Sequence, residues 1–170
     1  VLLGKGVVGS NLLSQMAEQR ELLRDEHGIL LQLVALVDSR SGLVDENGID
    51  LPDWRERFDR EKGPVDVRAI LERVRRLPVP VLVDCTAADG MEALYQEAFA
   101  KGIHVVAANK KPLVIDWTAR NQLLASAKAN HRQYHYETTV GASLPVIDTL
   151  KNLVRTGDRV RLIEGSFSGT

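Results

Sequence analysis

Three glycines near the start of the chain, Gly4, Gly6 and Gly9 in the stretch LLGKGVVGSNLL, are spaced as G-x-G-x-x-G. At this spacing glycines let a backbone approach a pyrophosphate. The first permits a tight turn, the second removes the Cβ that would hold the phosphates away, and the third lets the next helix pack on its strand. The start of that helix offers N–H groups without intrahelical acceptors and a partial positive charge. Here an apolar strand precedes the turn and a helical pattern follows it, the context a dinucleotide site requires. The plain alternative is a structural turn.

A second candidate lies at VDSRSG, where the next apolar run ends. An acid at this place bonds the adenosine ribose hydroxyls of NAD, whereas an arginine nearby holds the 2′-phosphate of NADP. The chain has both, Asp38 and Arg40. Asp38 could equally cap a surface turn, and the sequence leaves the choice between NADP and NAD open.

The elements that must position these residues alternate. Val1–Leu3 reads as the end of a strand. Gly9 to about Glu26 reads as one helix with Leu12, Leu13, Met16, Leu22 and Leu23 on its buried side. Leu31–Val37 is a near-continuous apolar strand, and the turn formers of Ser39–Asn47 read as loop. Charged helices are expected near Asp53–Glu61 and Asp66–Arg76, then a strand at Val81–Cys85. A helix capped by Asp89 should run to about Lys101 and end at Gly102. Strand Ile103–Ala107, helix Asp116–Asn130 and a strand around Gln133–Thr138 follow. A helix entered at Pro145 ends near Gly157, and Arg159–Phe167 reads as a last strand. Such alternation predicts an α/β fold, a doubly wound parallel sheet of the Rossmann type with ligands at the carboxyl ends of its strands. The glycine turn, DCTAAD and AANKKP all lie at expected strand ends.

At 170 residues with formal net charge −1, the chain is long enough for a sizeable core and carries no basic stripe for nucleic acid and no polybasic run for a membrane. A single cysteine, Cys85, excludes an internal disulfide and suits a reducing, cytoplasmic setting; it reads as packing, without an activating histidine. The four histidines, His27, His104, His131 and His135, lack metal-ligand spacing, and His104 reads as structural.

Four later segments, VDCTAADG, HVVAANKKPL, YETTVGASLPVIDTLKNLVRTGD and IEGSFSGT, occur in this order and resemble the homoserine dehydrogenase family over essentially the whole chain. The long first helix and LPDWRERF resemble the branch that includes bifunctional aspartokinase–homoserine dehydrogenases. The resemblance implies NAD(P)-dependent reduction of aspartate semialdehyde to homoserine, a step toward threonine, methionine and isoleucine. It places cofactor contacts on Lys5, Gly6, Val7, Val8, Gly9 and Ser10 beside Gly4, and on Thr86. Lys5 departs from the small residue usual there. A strand-end hydroxyl such as that of Thr86 could also simply cap the next turn. The resemblance makes Lys111, the second of the pair, the catalytic lysine beside nicotinamide and substrate, where a cation would stabilise an incipient alkoxide. Asn109 is expected to order that loop.

ETTVGASL resembles a monovalent-cation (Na+) loop to which Glu137, Val140, Ala142 and Leu144 supply oxygens, mainly from the backbone. The alternative is a turn capping the next helix. Ser143 stands where the family has glycine; a positive φ there would strain the loop.

The resemblance also implies a second domain with the proton donor and the substrate grip. Residues 1–140 are expected to be the NAD(P)-binding domain and 141–170 the connector helix and first strand of the substrate and dimerisation domain. The chain is thus expected to be the cofactor-binding portion of a larger homo-oligomeric enzyme, cut at both ends and inactive alone. The alternative from a different class is a non-catalytic dinucleotide-sensing domain of a regulatory protein.

Overall fold

The computed structural model describes residues 1–165. Its centre is a six-stranded sheet in the order β3-β2-β1-β4-β5-β6. The strands are β1 (Leu2–Leu3), β2 (Leu33–Val37), β3 (Gly42–Ile49), β4 (Val81–Asp84), β5 (His104–Ala107) and β6 (Tyr134–His135). All neighbours pair in parallel except β2 and β3. The helices are α1 (Val7–Glu18), α2 (Arg20–His27), α3 (Trp54–Glu61), α4 (Val67–Val74), α5 (Glu92–Ala100), α6 (Trp117–Ala129) and α7 (Val146–Arg155).

Both faces of β2 are covered, which is why it is apolar throughout, whereas β5 buries alternate residues and leaves Val106 exposed. Leu2, Leu33 and Leu36 pack with Leu13 of α1 and with Trp54 and Phe58 of α3. On the other face Leu3, Val37, Leu82 and Val105 pack with Leu71 of α4, Tyr95 and Phe99 of α5 and Leu123 of α6. The doubly wound α/β architecture is the expected one.

Several local expectations differ. The stretch Ser39–Asn47 mostly belongs to β3, which folds back antiparallel to β2 and makes the sheet mixed. Its turn formers make the hairpin, while Leu43 and Ile49 supply the buried apolar contacts. Asp45 and Glu46 give this edge strand charges that discourage further pairing. The expected single helix over Gly9–Glu26 is two, meeting at Gln19, and Leu22 is exposed. The second ends at Gly28 (φ +64°). Leu31 precedes its strand and is exposed. The β6 ladder is confined to Tyr134–His135, and Glu137–Thr139 forms a 3-10 turn. The expected last strand has no ladder over 159–165; its remainder lies outside the described residues.

Candidate functional site

The strand order reverses between β1 and β4, which opens a crevice at their carboxyl ends. Backbone bonds hold four strand ends level. Gly4 N–H donates to the Val37 carbonyl (2.8 Å), Cys85 N–H to that of Leu3 (2.8 Å) and Ala108 N–H to that of Asp84 (2.9 Å). The segments following β1, β2, β4 and β5 therefore face one region.

The three glycines have distinct local reasons. Gly4 has φ +89°, and a Cβ on it would lie 2.8 Å from the Cys85 carbonyl oxygen and 3.2 Å from Thr86 Cγ2. A Cβ on Gly9 would lie 2.0 Å from the Gly4 carbonyl oxygen, so α1 rests directly on the turn. Gly6, by contrast, has nothing within 4 Å of where its Cβ would be. It is the N-cap of α1, with no side chain to cap the first turn and no acid in that turn. The N–H groups of Val7, Val8 and Gly9 remain for an anion, and the side chains of Val7 and Val8 are exposed at the rim. This cradle suits a pyrophosphate in shape and in charge. Ser10 N–H bonds back to the Gly6 carbonyl (2.9 Å), within the helix.

Beside the glycine turn, Asp38 closes the β2–β3 hairpin. Its Oδ1 accepts from Arg40 N–H (2.9 Å), Ser41 N–H (2.8 Å) and the Ser41 hydroxyl (3.2 Å). The Arg40 N–H bond, then the Ser41 bonds and the Lys5 ammonium, hold this carboxyl below the usual range despite partial burial. Lys5 Nζ sits 3.7 Å from Asp38 Oδ2 and 4.8 Å from the centroid of the Phe58 ring. Arg40 is exposed.

Sequence reasoning missed the buried carboxylate that organises the opposite wall. Asp84 is fully buried and has no cation among its partners in the described residues. Its Oδ1 accepts from Thr86 N–H (2.7 Å), and Oδ2 from the Tyr95 hydroxyl and from Asn109 Nδ2 (3.2 Å). Asn109, itself buried, also donates to the Ala88 carbonyl (2.9 Å) and accepts from Lys111 N–H (3.1 Å). A carboxylate at a strand end opposite an asparagine on the next strand's loop was the available signal. Thr86 Oγ1 accepts from Ala88 N–H (3.2 Å), so the hydroxyl caps its own turn and keeps its proton for another acceptor.

Lys111 begins a short 3-10 turn, and its Nζ donates to Asp89 Oδ2 at 2.7 Å. Asp89 thus bridges the β4 and β5 loops instead of capping α5, whose N-cap is Met91. Lys110 is exposed. Cys85 lies beside this wall with its thiol pushed up to about 11, by burial first and the Asp84 carboxylate second, which removes it as a nucleophile at neutral pH. His104 is fixed as a structural group: Nδ1 accepts from Gln133 N–H (3.0 Å), and burial, then Arg132, lowers its pKa.

The loop 137–144 leads from β6 into α7. Both Glu137 carboxylate oxygens accept N–H groups at the start of α7, from Ile147 (2.8 Å) and Asp148 (2.7 Å). The Leu144 carbonyl accepts from Val146 N–H (2.9 Å). Positive φ falls on Gly141 and Ala142, not on Ser143, so serine is not the strained residue. Through Glu137 the loop serves as a cap for α7, the alternative the sequence left beside the cation loop of Glu137, Val140, Ala142 and Leu144. No group of three or more His, Cys, Asp or Glu suited to a metal occurs among the described residues.

Residues 4–137, the span from the first glycine through β6, match the family described as homoserine dehydrogenase, NAD binding domain. The chain belongs to the homoserine dehydrogenase family. It is 37% identical over 171 residues to the bifunctional aspartokinase/homoserine dehydrogenase of Haemophilus influenzae, covering 99% of this chain and 21% of that protein. A chloroplastic bifunctional aspartokinase/homoserine dehydrogenase of Daucus carota is 38% identical, with 99% and 19% covered. The chain thus spans about a fifth of the length of these relatives. Among solved structures, a hyperthermophilic archaeal homoserine dehydrogenase in complex with NADPH superposes with a TM-score of 0.74 at 25% identity, covering 91% of this chain and 48% of that one. The family places a dinucleotide on this homoserine dehydrogenase domain, and the open cradle at Gly6 and α1 fits one.

Proposed function

We propose that this chain is the NAD(P)-holding half of an enzyme that interconverts aspartate semialdehyde and homoserine. The observation that carries the reading is the open, uncapped start of α1 at Gly6, in a glycine turn that packs against Cys85 and Thr86 at the switch point. When bound, the dinucleotide supplies the reducing electron pair. The chain's own residues do the rest. The Val7, Val8 and Gly9 N–H groups hold the pyrophosphate, with Ser10 beside them. The Thr86 hydroxyl donates to the cofactor at the crevice floor. The Lys111 ammonium orients the aldehyde oxygen and stabilises the negative charge that grows on it.

Residues 1–140 form the cofactor domain in this reading, and 141–170 lead into a substrate domain that supplies the proton donor. α7 has no buried residue, and Leu153 and Val154 stand exposed on it, which supports a further packing partner and a homo-oligomeric intact enzyme. The reading places the protein in the cytoplasm, with no nucleic-acid or membrane partner. The even charge balance supports this, and among the described residues no helix is long and apolar enough to cross a membrane. No step is assigned to a monovalent cation.

The test is titration of the full-length protein with NADPH and NADH, followed by nicotinamide fluorescence, together with homoserine oxidation. Saturable binding and turnover are expected. Absence of dinucleotide binding refutes the reading.

A further inference from the structure

We propose that Lys5, inside the glycine turn, is a specificity-determining residue that makes the acidic end of β2 a seat for the 2′-phosphate of NADP(H). The inference rests on the dinucleotide reading above and goes beyond it by naming the preferred dinucleotide. An acid at this place ordinarily accepts from the ribose hydroxyls and repels a 2′-phosphate. Asp38 occupies the place, but its carboxylate is engaged. Three donors from Arg40 and Ser41 converge on Oδ1, and Oδ2 faces the Lys5 ammonium at 3.7 Å. A ribose hydroxyl therefore meets an acceptor already shared.

The ammonium, in turn, is positioned without being used up. At 3.7 Å the contact with Asp38 is an ion pair rather than a hydrogen bond, so the N–H donors of Lys5 remain available. The side chain lies over the Phe58 ring, which is itself 1% exposed and so fixed in the core. About a third of the Lys5 side chain still meets solvent (31%), and solvent is where a ligand would come from. Arg40 follows two residues after Asp38, with its backbone pinned by the same carboxylate and its side chain exposed. A 2′-phosphate arriving here meets the two positive charges of Lys5 and Arg40 against the single negative charge of Asp38, so the seat is net positive. The neutral 2′-hydroxyl of NAD gains much less from either cation than a phosphate does.

The experiment uses the full-length protein and four probes: adenosine 2′,5′-bisphosphate and 5′-AMP by titration calorimetry, and NADPH and NADH by fluorescence. Lys5→Met keeps the stem over Phe58 and removes the charge. It should weaken adenosine 2′,5′-bisphosphate and NADPH by roughly ten- to hundredfold, the range for losing one charge-assisted contact, and leave 5′-AMP and NADH unchanged. Lys5→Arg should restore most of the loss. Equal losses for the phosphorylated and unphosphorylated probes would put Lys5 on the pyrophosphate and overturn the proposal, as would no loss at all. In both of those cases the dinucleotide reading survives. If the unmodified protein binds none of the four, that reading falls and this one with it.

Discussion

Two alanine substitutions one helical turn apart should fail in opposite ways. A methyl on Gly9 would sit 2.0 Å from the Gly4 carbonyl oxygen and 3.5 Å from the Cys85 side chain. The nearest atom is backbone, so the strain is relieved only by moving α1 off β1, away from the packing of Leu13 against Leu2. Overpacking of this kind costs about 1–3 kcal/mol, and a backbone obstacle belongs at the upper end. At roughly 2–4 °C per kcal/mol for a domain of this size, Gly9→Ala should lower Tm by about 6–12 °C. A methyl on Gly6 meets nothing within 4 Å, and Gly6 already has an extended conformation (φ −68°, ψ −160°) that alanine adopts freely. The reduced freedom of the unfolded chain offsets the weaker N-cap, so Gly6→Ala should melt within about 2 °C of the parent. It nevertheless fills the approach to the pyrophosphate, and binding of NADPH and NADH should weaken by at least about tenfold. Thermal melts and dinucleotide titrations on both variants decide the matter. A Gly6→Ala protein that binds normally, or one that melts below Gly9→Ala, would show that the open side of the turn is not where the ligand lies.

Three further outcomes are expected. In the full-length enzyme Lys111→Ala should lower kcat/KM by roughly 10²–10³ with little change in Tm, whereas Lys110→Ala, exposed and without an ion-pair partner among the described residues, should be milder in steady-state kinetics. Asp84→Ala strands the Tyr95 hydroxyl, Asn109 Nδ2 and Thr86 N–H without their buried acceptor; at about 1–3 kcal/mol per donor the loss should exceed about 3 kcal/mol in denaturant unfolding, while Asp84→Asn, keeping one acceptor oxygen, should lose less. With its thiol pushed up to about 11, Cys85 should alkylate at a rate that keeps climbing through pH 10, because the thiolate fraction is still rising; a plateau near pH 9 would contradict its burial beside Asp84.

The sequence by itself determined those features whose physics is local. The spacing of Gly4, Gly6 and Gly9 constrains a few consecutive backbone torsions, so the turn and the helix it opens were legible. The apolar runs at Leu33–Val37, Val81–Asp84 and His104–Ala107 declare strands, the first of them buried throughout, and Asp116 caps α6 through N–H groups two and three residues ahead. Tertiary structure decided everything that depends on what lies opposite. Asp89 looked like a helix cap and became the partner of Lys111, 22 residues away, because the β4 and β5 loops meet over the crevice. The turn formers after Asp38 looked like loop and became a hairpin, because the free edge of β2 offered backbone partners and the α3 side offered apolar cover for Leu43 and Ile49. Lys5 stood out in sequence only as a departure from the usual small residue, and the fold sets it facing Asp38 over Phe58, a ring that α3 delivers from more than fifty residues downstream. Asp84 showed in sequence only as a carboxylate at a strand end, which becomes an organiser when packing removes water and brings Tyr95 and Asn109 to it. Periodicity and turn chemistry act between near neighbours along the chain, whereas the pairing of a charge is settled by whatever the fold sets across from it.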